Sequence, residues 1–307
     1  MEKENNVPRI LILGATGITG KTVVEKLKDR KETFNVVLAS RKKEQVIKWQ
    51  QEGKDAVYID LNDARTFADA LNGIDRIYLV TGYTVEMIHQ SKTLVDAAVD
   101  AGVEFIVHLG IFGNGRMTDP HFAWHEIIDS YIQNSGIRWS ILHPNAFYDM
   151  VPVTFPIIDG TMVSFTGEKK SGYVAVEDIA AVAALVLAQG PELHAGKHYH
   201  LSTENVNVVE IASLLGELTG HEVPYLSRSP DDLIAAINAG QLTLTVDREK
   251  TYAESGLEWL KQVYDGRLDS LATTTTTVPD LLGRPGRSLR DWMTENIELF
   301  QGIKTKF

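Results

Sequence analysis

The chain has 307 residues, of which 44% are hydrophobic and 23% charged, an ordinary make-up for a folded protein with room for one large domain and a smaller companion. Its formal charge of -11 repels nucleic-acid backbones and anionic membrane surfaces, so no nucleic-acid or membrane partner is expected. Cysteine is absent, which excludes disulfides, thiolate catalysis and cysteine-ligated zinc, and any redox chemistry therefore needs a bound cofactor.

The polar start Met1-Glu2-Lys3-Glu4-Asn5-Asn6 lacks the apolar centre of a signal peptide, and no later apolar run is long enough to span a bilayer. A cytoplasmic location is the expectation. Arg9-Ile10-Leu11-Ile12-Leu13 is uniformly apolar and ends in glycine, as suits a strand covered on both faces of a parallel sheet. A helix is expected over 19–27. Further strands are expected at 35–39, 56–59, 76–80 and 105–109, with helices at 65–71 and 85–101 between them. After a helix over 121–134 and the stop signal Ser135-Gly136, a sixth strand fits Trp139-Ser140-Ile141-Leu142.

This alternation predicts an α/β fold, a Rossmann-type doubly wound parallel sheet with ligands at the carboxyl ends of its strands. Beyond Pro144 the prolines and glycines at 152, 156, 160, 167 and 172 break the chain into loops and short strands. An alanine-rich helix follows Val176-Glu177-Asp178, and Lys197-His198-Tyr199-His200-Leu201 reads as a strand returning to the main sheet. The expected division is a Rossmann domain over 1–150, completed by about 174–202, and a smaller, discontinuous C-terminal α+β domain over 151–173 and 203–307. Helices at 208–219 and 230–239 belong to the smaller domain. Thr273 to Thr277 reads as an exposed connector.

The turn Gly14-Ala15-Thr16-Gly17-Ile18-Thr19-Gly20, set between a buried strand and a helix, brings main-chain amides close to a diphosphate without side-chain obstruction. Gly14 makes the turn, Gly17 permits approach and Gly20 packs helix on strand. Thr16, Ile18 and Thr19 share this phosphate contact. An NAD site ends its second strand in an acid that binds the ribose hydroxyls, but here the strand ends Ser40-Arg41-Lys42-Lys43. Arg41 can grip a 2′-phosphate with paired donors, and Ser40 and Lys42 can add to the grip, so NADP(H) is the expected cofactor. The alternative is that these basic residues only cap an exposed loop. Asp60, followed by Leu61, ends the third strand where an adenine contact is expected, or else caps a helix with Asn62 and Asp63.

These features, together with Ser135-Gly136-Ile137-Arg138-Trp139-Ser140-Ile141-Leu142-His143-Pro144-Asn145-Ala146-Phe147 and the closing segment Pro279-Asp280-Leu281-Leu282-Gly283-Arg284-Pro285-Gly286-Arg287-Ser288, resemble the NmrA-like branch of the atypical short-chain dehydrogenase/reductases. That branch contains NADPH-dependent quinone and triphenylmethane-dye reductases as well as NADP-sensing regulators. By resemblance, Thr81-Gly82, Leu109-Gly110, Pro144, Asn145 and Phe147 line the nicotinamide half of the groove. His143 departs from the pattern, in which arginine often precedes the proline.

No tyrosine is followed by lysine four residues later, so the usual acid pair of short-chain dehydrogenases is missing. His121 falls where that tyrosine would stand and His125 where the lysine would, one turn apart on a single helix face. His125 can bond the nicotinamide ribose or carboxamide, and either histidine can donate a proton after hydride transfer. A purely structural role and a two-histidine metal site are the alternatives; no metal is expected. Phe112, Trp124, Phe147, Tyr148, Met150 and Tyr173 are candidates for a flat apolar substrate slot, or for core. The sequence thus points to an NADPH-dependent oxidoreductase passing hydride to a small conjugated acceptor such as a quinone or dye. The alternative is a noncatalytic NADP(H) sensor acting through a regulatory protein partner; a homodimer stays open.

Overall fold

The computed structural model describes residues 7–113, 116–240 and 249–300, so the polar leader 1–6 lies outside the described residues. The chain alternates through β1 (Arg9–Ile12), α1 (Ile18–Lys28), β2 (Asn35–Ser40), α2 (Lys43–Gln51), β3 (Ala56–Tyr58), α3 (Phe67–Leu71), β4 (Arg76–Val80), α4 (Met87–Asp100), β5 (Phe105–Leu109), α5 (Pro120–Asn134) and β6 (Arg138–Pro144). Shorter pieces follow: β7 (Ala146–Phe147), α6 (Val151–Thr154), β8 (Ile157–Ile158), β9 (Thr161–Ser164) and β10 (Ser171–Val174). Next come α7 (Val176–Gln189), α8 (Pro191–His194), β11 (Lys197–Leu201), β12 (Glu204–Val206), α9 (Val208–Thr219), β13 (Tyr225–Ser227) and α10 (Pro230–Asn238). The described chain ends with α11 (Lys250–Tyr264), α12 (Thr277–Leu282) and α13 (Leu289–Glu295).

Seven strands form one sheet in the order β11-β6-β5-β4-β1-β2-β3. Every pairing from β3 through to β6 is parallel. Strand order reverses between β1 and β4, and in a doubly wound sheet the crevice at that reversal is where a dinucleotide lies. The alternation expected from the sequence is therefore the architecture found. The apolar runs are buried because helices cover both faces: Ile10, Leu11, Ile12, Ile77, Tyr78, Phe105, Ile106 and Val107 are all fully buried.

The chain divides into two compact units. The first comprises residues up to 111, 124–143 and 179–199; the second comprises 112–123, 144–178 and 200 onward. Two three-stranded sheets belong to the second unit. In one, β10 runs antiparallel to β12 and parallel to β7; in the other, β9 runs parallel to β13 and antiparallel to β8. Its main core gathers Tyr148, Tyr173, Ile211, Leu215, Trp292 and Met293. Helix α9 packs there because Val208, Ile211, Ala212 and Leu215 form one apolar stripe, with an Asn207–Glu210 capping box at its start and left-handed Gly220 at its end.

The threonine run differs from the exposed connector expected. The Thr275 amide donates to the Ser202 carbonyl at 2.7 Å and its hydroxyl to the His200 carbonyl at 2.8 Å, while the Ser202 hydroxyl donates to the Thr273 carbonyl at 2.6 Å. Threonine serves because its hydroxyl satisfies strand-end carbonyls that no further strand covers. The closing segment is fixed by a buried acid. Asp178 is 0% exposed, accepts the Arg287 amide at 2.7 Å and pairs with the Arg284 guanidinium at 2.8 Å.

Gly172 sits at the crowded centre of these ties. A Cβ there would lie 2.2 Å from Asn145 Nδ2, 2.3 Å from Ser202 Oγ and 2.7 Å from the Thr273 carbonyl oxygen. Because both side chains are already committed to hydrogen bonds, Gly172→Ala is expected to lower the unfolding free energy by about 1–3 kcal/mol in denaturant titration.

Candidate functional site

The first unit places the predicted cofactor residues Gly14 to Gly20, Ser40 to Lys42, Asp60, Leu61, Thr81, Gly82, Leu109 and Gly110 at the carboxyl ends of its strands, whereas Pro144, Asn145 and Phe147 belong to the second unit. Gly14, at φ 63°, swings the chain out of β1, and a Cβ there would meet Val80 Cγ1 of β4 at 2.6 Å. The Gly17 amide closes the turn on the Gly14 carbonyl at 2.8 Å. Gly20 is the tightest position: a Cβ would lie 2.2 Å from the Gly14 oxygen. Gly14, Thr16, Gly17 and Ile18 are exposed, whereas Thr19 and Gly20 are buried. Helix α1 has no side-chain cap and no acid in its first turn, so its leading amides face outward without a protein anion to satisfy them. This cradle fits a diphosphate.

At the end of β2, Ser40 Oγ accepts the Lys42 amide at 3.1 Å, which shapes the turn into α2. Arg41, Lys42 and Lys43 are exposed, and Lys43 Nζ lies 5.0 Å from the centre of the Tyr58 ring. Ser40 to Lys43 include no carboxylate, and Glu44 follows in the first turn of α2. Asp60, after β3, accepts the Asn62 amide at 3.0 Å, and Leu61 beside it is half-buried. Thr81 is half-buried and Gly82 exposed past β4, while Leu109 and Gly110 are buried at the end of β5.

Behind Gly110 lies a cluster the sequence reading missed. Asp129 of α5 has Oδ1 3.6 Å from His108 Nε2 and Oδ2 3.8 Å from His143 Nδ1. His108 is 0% exposed and Asp129 8%. His108 Nδ1 lies 3.1 Å from the Leu79 carbonyl; a carbonyl only accepts, so Nδ1 carries the proton and Nε2 offers its lone pair to Asp129. Among the described residues neither Nε2 nor Asp129 Oδ1 has another hydrogen-bond partner. His143 Nδ1 donates to the Ile111 carbonyl at 2.8 Å, and its Nε2 lies 2.8 Å from Nδ1 of exposed His198 on β11. His125, predicted as a candidate acid, is buried on α5 with its ring 6.3 Å from that of His108 and nearly parallel to it.

Burial pushes the Asp129 carboxyl up to about 7, with the Glu126 charge adding to the rise, and pushes the His108 imidazole down to about 4 against the pull of the Leu79 hydrogen bond. In the unfolded chain the same two groups titrate near 3.8 and 6.5. Burial has therefore exchanged the order in which they take up protons, and the pair holds one proton through the mildly acid range in either state.

The second unit carries the remaining candidates. Asp119 Oδ1 caps α5 by accepting the His121 and Phe122 amides at 2.9 and 3.2 Å, and burial pushes this carboxyl up to about 6. His121 Nε2 is 2.7 Å from the Tyr252 hydroxyl of α11, with the two rings edge to face at 4.8 Å. The Phe112 amide donates to the Pro144 carbonyl at 2.9 Å, and its ring meets that of His200 edge-on at 5.2 Å. Asn145 spends its side chain within the unit: Nδ2 donates to the Leu271 carbonyl at 2.8 Å and Oδ1 accepts the Ala146 amide at 3.1 Å.

Phe147 and Met150 are half-buried here, as is Trp124 in the first unit. Tyr148 and Tyr173 belong to the core rather than to a slot wall. They are 0% and 1% exposed, stacked at 6.4 Å, with Trp292 tilted against Tyr148 and the Tyr148 hydroxyl donating to the Arg287 carbonyl. Among the described residues no trio of histidine, aspartate and glutamate could hold a metal ion, and no helix is long and apolar enough to cross a membrane.

The exchanged proton order makes a signed prediction about stability. With Asp129→Asn only the depressed imidazole remains, so the unfolded chain binds the extra proton and stability falls, relative to wild type, as pH drops from 6.5 towards 4. With His108→Gln only the raised carboxyl remains, so the folded chain binds the extra proton and stability falls as pH rises from about 4 to about 7. Denaturant unfolding at a series of pH values should give these two opposite slopes.

Three similar proteins have the same extent as this chain. An NAD(P)H azoreductase from Xenophilus azovorans is 25% identical over 296 residues, covering 95% of this chain and 99% of its own. The structure of a triphenylmethane reductase from Citrobacter sp., complexed with NADP(H), superposes with a TM-score of 0.78 at 22% identity, over 94% of this chain and 99% of that one. An NADPH-dependent quinone oxidoreductase from Escherichia coli, complexed with NADPH, does so with a TM-score of 0.80 at 21% identity, over 95% and 100%. The NmrA-like family matches residues 7–275, a span that takes in both the glycine turn and the β6 segment. The chain belongs to the NmrA-like family.

Proposed function

We propose that the protein is an NADPH-dependent reductase of a small conjugated or aromatic acceptor such as a quinone or dye. The observation that carries this reading is the pairing of two features in one unit: outward-facing amides at the start of α1, and an exposed basic run at the end of β2 where an NADH site needs an acid. The azoreductase, dye reductase and quinone oxidoreductase named above support the acceptor class. Membership of the atypical short-chain dehydrogenase/reductases and a cytoplasmic location belong to the same reading.

In it, the Gly14–Gly20 turn holds the diphosphate, Arg41 with Ser40 and Lys42 holds the 2′-phosphate, and Asp60 with Leu61 borders the adenine. Thr81, Gly82, Leu109 and Gly110 line the nicotinamide side. The bound dinucleotide supplies the hydride. A quinone or cationic dye is electrophilic enough to take that hydride without a strong protein acid, which makes the missing tyrosine-lysine pair tolerable. His125 and His121 are the proton donors this chain offers. Phe112 and Met150, both of the second unit, are side chains for an apolar slot.

Arg41→Asp is expected to raise the NADPH dissociation constant well over tenfold while sparing NADH, as read by calorimetry; equal losses for both would make Arg41 a scaffold residue. Wild-type protein should oxidise NADPH when given at least one member of a panel of quinones, azo compounds and triphenylmethane dyes. Tight NADPH binding with no turnover across the panel would sink the reductase and leave a cofactor sensor.

A further inference from the structure

The first unit keeps its most unusual acid directly beneath the strand end proposed for the nicotinamide. A Cβ on Gly110 would lie 3.2 Å from Asp129 Oδ1, so only the glycine backbone separates that carboxyl from the end of β5. The groups facing Asp129 are His108 from β5, His143 from β6 and, on α5 itself, Glu126. His125 stacks on His108, and His198 of β11 stacks on His143. No arginine or lysine is among them. His108 presents a bare Nε2 to the carboxyl, and His143 turns its Nδ1–H to the Ile111 carbonyl.

A carboxyl so placed is mostly protonated below pH 7 and gives its proton up more readily when a positive charge arrives nearby. Hydride loss turns a neutral dihydronicotinamide ring into a cationic one, and unit charges separated by a thin layer of backbone in a dry interior attract strongly. We propose that Asp129 is the group whose proton is tied to the charge of the nicotinamide ring: it stays a neutral acid behind Gly110 beside the reduced ring and gives the proton up beside the oxidised one. The Asp129 O–H bond breaks, the electron pair stays on the carboxylate facing the cation, and the proton leaves. The proton ends in bulk water, where the buffer takes it up. The proposal rests on the reading of this site as an NADP(H) site, and makes Asp129 a positioning residue that favours the oxidised ring.

Calorimetric binding of NADP+ and of NADPH to the wild-type protein at pH 6.5, in buffers of different ionisation enthalpy, tests it without turnover. NADP+ should release most of one proton more than NADPH does; the 2′-phosphate titrates in both forms and cancels in the difference. The NADP+ dissociation constant should accordingly fall by about tenfold per pH unit between pH 5.5 and 6.5, and that of NADPH should not follow it. Asp129→Asn should erase the difference. Should that variant not fold, difference infrared spectroscopy of the wild type should show the carbonyl band of a protonated carboxylic acid lost on adding NADP+ and kept on adding NADPH. Equal proton release by the two forms, or a difference that survives in Asp129→Asn, overturns the proposal while leaving the cofactor site intact. Binding of neither dinucleotide overturns the cofactor reading itself.

Discussion

The first unit depends on how closely the start of α1 approaches the end of β1. With 2.2 Å between the Gly14 oxygen and the place a Gly20 Cβ would occupy, the helix can seat itself there only because that position carries no side chain. The same approach turns the first amides of α1 outward at the reversal of strand order. Neighbouring strand ends then have fixed addresses: Val80 abuts Gly14 from one side, and the Ser40 turn follows the strand on the other. One steric constraint thus sets where the start of α1 lies and which strand ends surround it.

Much of this was legible in the sequence because burial on both faces leaves a continuous apolar run, and a run closed by glycine marks a strand end. Strands at 76–80 and 105–109 appear as read, β1 stops one residue short of the expected 9–13, and β11 and α9 have the expected bounds. Helix α2 was not anticipated, since only Val46 and Trp49 of its nine residues are buried and the rest, apart from exposed Ile47, carry charge or amide groups. Helix α11 was missed for a related reason: its buried face is Tyr252, Ser255, Gln262 and Val263, half of it polar. Strands of two or three residues, such as β8 and β13, are shorter than any alternation that could announce them.

Within the site, the division follows the same physics. The phosphate reading rests on glycine and arginine at strand ends, residue types that stand out there against the apolar runs before them. The His108–Asp129 pair had no such signature, because His108 sits inside the apolar run Phe105-Ile106-Val107-His108-Leu109 and was read as part of it. The available signal was Asp129 itself, an acid lying one helical turn beyond His125 on the same face of α5. The substrate candidates show the opposite failure: aromatic residues mark core and slot alike, and Tyr148 and Tyr173 proved to be core. His121 acquired a partner, Tyr252, from a helix that the apolar pattern did not reveal.

Asp178 has a consequence for how the molecule is made. It is wholly enclosed, and the amide and guanidinium that satisfy it come from Arg287 and Arg284, more than a hundred residues further along the chain (109 for the Arg287 amide). A buried carboxylate stripped of its counter-charge is strongly unfavourable, so the first turn of α7 cannot be sealed while that stretch is still inside the ribosome. The nascent polypeptide can assemble its leading β-α repeats early, as translation proceeds. The second half can close around Asp178 only once those arginines have emerged.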